Sequence, residues 1–266
     1  MRGAPVLLML LLAAPFAEAA DPPALVRART AYNAANYDQA IVLAEAALAQ
    51  KADADVAALI VVRARLERYR LGGNAADLNA AHTTLRAIAR QRLKPREQTE
   101  LLVAQALALY LDQSYGGAAE VFDSALARVG FVGLTERDRL LEWWALALDR
   151  EAQALSDDRR RAVYDRIAGR MEQELRDNPS SVSANFWLAA ALRGAGNVDR
   201  AWDAAMAAWV RVPLDLPGAE TLRRDLDRLI VDAVVPERSR QQPRAEWDSL
   251  AAGLTSRWEQ FKREWQ

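Results

Sequence analysis

Between Asn185 and Pro213 the chain reads NFWLAAALRGAGNVDRAWDAAMAAWVRVP. Apolar residues, small and large, recur at three- and four-residue steps, pause at Gly194-Ala195-Gly196-Asn197, and resume on Ala201, Ala205 and Ala208. That periodicity on both sides of a glycine-rich break predicts two short amphipathic helices folded back on each other. Pro213 cannot continue the second, because it lacks an N–H and its ring clashes with the preceding turn.

Weaker copies of this hairpin fill most of the chain. The first is ALVRARTAYNAANYDQAIVLAEAAL, Ala24 to Leu48, with Asn36-Tyr37-Asp38 as turn and cap. The second is degenerate: a helix from Val56 to Leu71, a break at Gly72-Gly73-Asn74, then Leu78, Ala81, Leu85 and Ile88 on one face of a return helix that Pro95 closes. The third runs from Leu101 to Leu126 and the loop Gly130–Thr135 follows it. A longer fourth carries Leu141, Trp144, Leu148 and Leu155 on one helix, and Val163, Ile167, Met171 and Leu175 on the next. Its closing Pro179 lies 34 residues before Pro213. Beyond the fifth hairpin, Ala219–Val234 is one more helix, PERSRQQP a polar linker, and a final helix begins near Arg244. No strand pattern is left over.

This pattern resembles the tetratricopeptide repeat (TPR), a helical hairpin of about 34 residues. The resemblance rests on Ala28, Ala40 and Ala47, on Ala106, Tyr115, Ala118, Phe122 and Ala125, and on Ala201. Those are positions where the repeat wants small or aromatic side chains, so that helices approach closely. Ile167 departs from it, standing where alanine belongs, which implies wider or offset helices there. The resemblance implies an all-α, right-handed α-solenoid of about five hairpins with C-terminal capping helices. The expected parts are a signal peptide over 1–19, a repeat region over 20–234, a linker over 235–243 and an amphipathic helix over 244–266. In TPR proteins the first helix of each hairpin lines the concave face. Here that implies peptide contacts from Arg29, Tyr32 and Asn33, from Tyr110 with Leu107 and Leu111, and from Arg193 with Ala190 and Gly194. The family's Lys/Asn carboxylate clamp is not reproduced.

Composition narrows the chemistry. The 35 basic and 36 acidic residues nearly cancel, so no global field draws the chain to nucleic acid. All basic residues but Lys51, Lys94 and Lys262 are arginine, expected on solvated faces beside Asp and Glu one turn away. Arg2, the apolar run Val6–Ala14 and Ala17-Glu18-Ala19 read as a secretory signal too short to span a bilayer, which implies a periplasmic or secreted protein. The chain has no cysteine, which removes disulfides, thiol catalysis and thiolate metal sites. His82 is the single histidine and excludes any His-based metal triad. Carboxylates alternate with arginines in surface ladders, whereas acid–base pairs must be held across a cleft in different environments. The glycines fall at helix–helix turns and form no phosphate-binding pattern. No catalytic residue, cofactor or metal is therefore expected.

All eight tryptophans follow residue 142. Trp143 either packs under the loop Gly130–Thr135 or anchors a ligand peptide at a rim. In the last helix Trp247, Leu250, Leu254, Trp258, Phe261 and Trp265 step by 3, 4, 4, 3 and 4, one apolar stripe. Such a stripe could bury on the order of 1,000 Å², more than a lone exposed patch usually presents. It is expected to cap the last repeat; a partner groove, a second copy of the chain or a membrane surface are the alternatives. Together these features predict a non-catalytic scaffold that binds another protein or peptide, with no nucleic acid and no integral membrane span. A hydrolase or cell-wall enzyme using a carboxylate inside the superhelix is the alternative.

Overall fold

The computed structural model describes residues 23–48, 53–128 and 134–265; the expected signal peptide and residues 130–133 of the expected loop lie outside them. The helices are α1 (Pro23–Asn33), α2 (Tyr37–Ala47), α3 (Ala54–Gly72), α4 (Ala75–Ala87), α5 (Pro95–Leu111), α6 (Tyr115–Leu126), α7 (Leu134–Ala152), α8 (Asp157–Asp177), α9 (Val182–Gly194), α10 (Val198–Arg211), α11 (Ala219–Arg228), α12 (Val235–Ser239) and α13 (Trp247–Glu264). No strand occurs among the described residues. The helices pack in adjacent pairs, and odd-numbered helices also touch the next odd one: α1 on α3, α3 on α5, α7 on α9 and α9 on α11.

Three hairpin turns share one geometry. Ala35, Gln113 and Gly196 each adopt positive φ (56°, 62° and 84°), two residues beyond the first helix. The next residue's N–H then reaches back to a carbonyl of that helix: Asn36 to Ala31, Ser114 to Leu109 and Asn197 to Leu192, at 2.9, 2.9 and 2.8 Å. A left-handed residue with a Cβ costs about 1 kcal/mol, so Ala35 and Gln113 hold this turn against their own preference. Three alanine trios follow the same register: Ala28, Ala40 and Ala47; Ala106, Ala118 and Ala125; Ala189, Ala201 and Ala208. All nine are at most 1% exposed. The fourth hairpin differs. Ile167 is fully buried where the others place alanine, and α7 meets α8 less extensively than the other hairpin helices meet their partners.

The arginines do not chiefly pair within their own helix, as expected from the sequence. They link one helix to another. Along the even-numbered helices, Glu120 and Asp123 of α6 meet Arg166 and Arg170 of α8 at 2.8 and 2.7 Å. Glu172 of α8 meets Arg200 of α10, and Asp199 of α10 meets Arg238 of α12, each at 2.7 Å. Exposed pairs of this kind are worth about 0–1 kcal/mol each, so they set register more than stability. One pair lies deeper: Glu174 of α8 accepts a forked bond from Arg137 of α7, with Nε 2.7 Å from Oε1.

The buried apolar side chains form three clusters. One joins α1, α2 and α3; a second joins α3, α4 and α5; the largest runs from α5 to α13. Helix α3 feeds two of them, with Ala57, Ile60, Val61 and Ala64 in the first and Leu59, Val62 and Leu66 in the second. The stretch 235–243, expected as a linker, is helical over Val235–Ser239. A π-helical segment, Leu229–Val234, carries α11 into it, and Val235 and Ser239 are buried. Pro236 stands at the start of α12, where its fixed φ suits helical backbone, so PERSRQQP can begin as helix.

Helix α13 folds back onto the preceding helices. Trp258 is fully buried, edge-on to Trp202 at 5.9 Å and to Trp209 at 5.4 Å, both on α10. Its indole N–H donates to Asp227 at 2.8 Å, and Lys262 bonds the same carboxylate at 2.6 Å. Trp209 donates to the Trp265 carbonyl at 3.2 Å. Trp247, Leu250, Leu254 and Phe261 are half-buried, and Trp265 is 51% exposed. Among the described residues no helix is long and apolar enough to cross a membrane.

Candidate binding clefts

Among the described residues, clefts open on the odd-numbered helices, and two of them adjoin. The first is lined by Arg29, Tyr32 and Asn33 of α1, Ile60 and Arg63 of α3, Arg96, Thr99, Glu100 and Val103 of α5, and Glu136, Arg139 and Leu140 of α7. Four helices from four hairpins therefore contribute to one surface. Ile60 and Leu140 are buried and form an apolar floor with Val103, while charged side chains make the walls.

Glu100 organises those walls. Its carboxylate accepts from Nη1 of Arg29 and Nη1 of Arg63, each at 3.0 Å, and Arg96 stands 3.5 Å away. Glu97, one turn earlier, lies 3.7 Å from Arg29 and caps α5 by accepting the Lys94 backbone N–H at 2.8 Å. Arg63 also lies 4.5 Å over the Tyr32 ring. Burial works against its charge, but Tyr32 and Glu100 more than offset that and hold its pKa above the usual arginine value. Arg139 is exposed and makes no ion pair among the described residues. The lining holds four arginines against two glutamates, a formal excess of two positive charges.

The second cleft adjoins the first through Arg139 and lies between α7, α9 and α11. Asp138 on α7 fastens α9 across it, accepting the Ser183 N–H and hydroxyl, each at 3.2 Å, and the Ser181 hydroxyl. Ser181 in turn caps α9 by accepting the Ala184 N–H at 3.1 Å. Glu142 is exposed at the mouth, yet its carboxyl is pushed above the usual carboxylate range, by burial first and by Asp138 next, with Arg139 opposing. Among the described residues no group of His, Asp or Glu is placed to hold a metal ion. The most buried carboxylates, those of Asp77, Glu97 and Glu174, each face an arginine: Arg68, Arg29 and Arg137.

Of the residues expected to contact a peptide, Arg29, Tyr32 and Asn33 come together in the first cleft. Tyr110 and Trp143 line neither cleft. They meet edge-on at 5.2 Å, with Trp143 stacked on Phe122 at 6.3 Å, an aromatic cluster joining α5, α6 and α7. Arg193 is committed elsewhere, its Nε bonding both oxygens of Glu237 on α12 at 3.0 and 3.1 Å. Arg63, Arg96 and Arg139 were not singled out from the sequence. Their signal was a spacing: Arg29, Arg63 and Arg96 stand 34 and 33 residues apart, one hairpin each. His82, half-buried, bonds Asp112 at 3.0 Å and lines neither cleft.

The chain matches no protein-family model and no curated protein. Its functional reading accordingly rests on its own residues.

Proposed function

We propose that this protein is a TPR-like α-solenoid that binds an extended segment of another protein and catalyses nothing. The observation that carries the reading is the convergence of α1, α3, α5 and α7 on one cleft, with an apolar floor between charged walls. A groove assembled from successive helices suits an extended chain, whose side chains alternate between pockets. The shared turn at Ala35, Gln113 and Gly196 and the three alanine trios support a repeating architecture. Commitment of the buried carboxylates to arginine partners favours structure over acid–base chemistry. The arginine-led apolar leader at Arg2–Ala14 supports a mature chain in the periplasm or outside the cell.

The test is selection of a displayed random-peptide library on the immobilised protein. Enriched peptides that lose binding to a Tyr32→Ala, Val103→Asp variant support the reading; absence of enrichment above a bare surface refutes it. One observation favours the hydrolase alternative: Glu142, with its raised carboxyl, faces a cleft that also holds Asp138 and Asp225. Hydrolysis of a cell-wall glycan preparation that disappears in Glu142→Gln would replace the scaffold reading with that one.

A further inference from the structure

We infer that the ligand of the α1/α3/α5/α7 cleft is an acidic extended peptide, its side-chain carboxylates held by Arg139 and Arg96. The inference deepens the proposed peptide-binding function and rests on it. Its basis is the charge inventory of the cleft. Glu100 draws Arg29 and Arg63 together and fixes their guanidinium groups, so that one carboxylate is shared among several cations. Arg96 touches the same carboxylate only at 3.5 Å, and its side chain is 70% exposed. Arg139, on α7, makes no salt bridge among the described residues, although its charge acts on the Glu142 carboxyl in the adjoining cleft. Two arginines on different helices, Arg96 on α5 and Arg139 on α7, thus lack a close carboxylate of their own beside Ile60, Val103 and Leu140.

Guanidinium forks match carboxylates in two-point geometry and hold them with charge-assisted hydrogen bonds. The apolar floor between the arginines selects a peptide, whose alternate side chains can be apolar, over a uniformly charged polyanion. Glu100 is a positioning residue in this scheme: it holds the Arg29 and Arg63 heads so that the cleft is pre-organised before ligand arrives.

The experiment is fluorescence anisotropy of the mature full-length protein with three labelled probes: alternating Glu-Ala, Gln-Ala and Lys-Ala peptides of equal length. The Glu-Ala probe is expected to bind at least about tenfold tighter than Gln-Ala, the ratio that one or two charge-assisted contacts supply. Binding should weaken steeply with added salt. Arg139→Gln should cost most of the preference and Arg139→Lys should restore part of it, while Arg200→Gln on α10, which lines neither cleft, changes nothing. Arg139 is exposed, so folding is not at stake in its variants; circular dichroism checks this. Equal binding of Glu-Ala and Gln-Ala, tighter binding of Lys-Ala, or indifference to Arg139→Gln would each overturn the inference. The library selection separates the two levels. Enriched peptides that need Tyr32 and Val103 but carry no excess of Asp or Glu sink the acidic preference and leave groove binding standing.

Discussion

Gly194 offers the sharpest test of the packing. It is the last residue of α9, and a Cβ built there would lie 2.7 Å from Cγ, Cδ1 and Cδ2 of Tyr164 on α8. Ordinary carbon contacts begin near 3.5 Å, so Gly194→Ala must drive the ring away by about 1 Å. The contacted atoms are the base of the ring, which cannot swing aside as a flexible chain end would. The Tyr164 hydroxyl donates to Asp149 at 2.8 Å. A shift of that size stretches the bond past any useful length. Overpacking costs about 1–3 kcal/mol and the lost hydrogen bond about 1 kcal/mol. Against this, replacing glycine by alanine in a helix returns at most about 1 kcal/mol, and less at a last turn. The net expectation is a loss of about 1–3 kcal/mol, or a fall in Tm of roughly 3–9 °C for a domain of this size. Urea unfolding should be run on Gly194→Ala, on Tyr164→Ala and on the double variant. In the Tyr164→Ala background the glycine substitution should become neutral or mildly stabilising. An unchanged midpoint for Gly194→Ala alone, or the same loss in both backgrounds, refutes the reasoning.

Trp258→Ala should cost about 3–5 kcal/mol in urea unfolding, because it empties the space between Trp202 and Trp209 and removes the indole bond to Asp227, whereas Trp247→Ala should cost less than about 1 kcal/mol. Burial first, and the bond to Asp149 next, push the Tyr164 hydroxyl up to about 12 from 10.0. Because the folded value is the higher one, its stabilisation is complete below pH 10 and is lost as pH climbs towards 12. Solvent screening of the half-buried ring leaves about 1 kcal/mol of this, and Tyr164→Phe should flatten the chemical-denaturation profile over that window. Glu174→Gln strands the Arg137 guanidinium on a buried amide and should lower stability by about 2 kcal/mol, read by thermal melting.

The helices and their pairing were legible in the sequence because alanine, leucine and tryptophan repeat with helical period and the turns carry Gly, Asn or Ser. Two of the three alanine trios were legible for the same reason, since only small side chains permit that closeness; in the third, Ala201 was read but its partner Ala189 was not. What escaped was whatever joins distant parts of the chain. Arg166 and Glu120 are 46 residues apart, and nothing local distinguishes that pairing from one within a helix. Gly194 read as a turn glycine, yet its backbone is helical and the cause is a tyrosine thirty positions earlier. Pro236 and the polar residues after it suggested a linker, but buried Val235 and Ser239 and the Arg193–Glu237 pair draw the first four of those residues into helix. Arg29, Tyr32 and Asn33 fell together in a cleft because α1 turns one face inward. Arg193, on an equivalent helix, was diverted by the glutamate that α12 brings to it. The remaining cleft arginines were hidden by abundance, in a chain where arginine is the ordinary cation.

Helix α3 is dry on two sides, and the first hairpin is held by only one of them. Were α1 and α2 to peel away, Ala57, Ile60 and Val61 would meet water while Leu59, Val62 and Leu66 stayed sealed against α4 and α5. Resistance to opening is thus graded along the chain, and amide protons in α1 and α2 should exchange with deuterium before those of α9 and α10. Arg29 and Tyr32 ride on that hairpin, so the Arg29–Glu100 bond must break before the wall they form can leave the cleft.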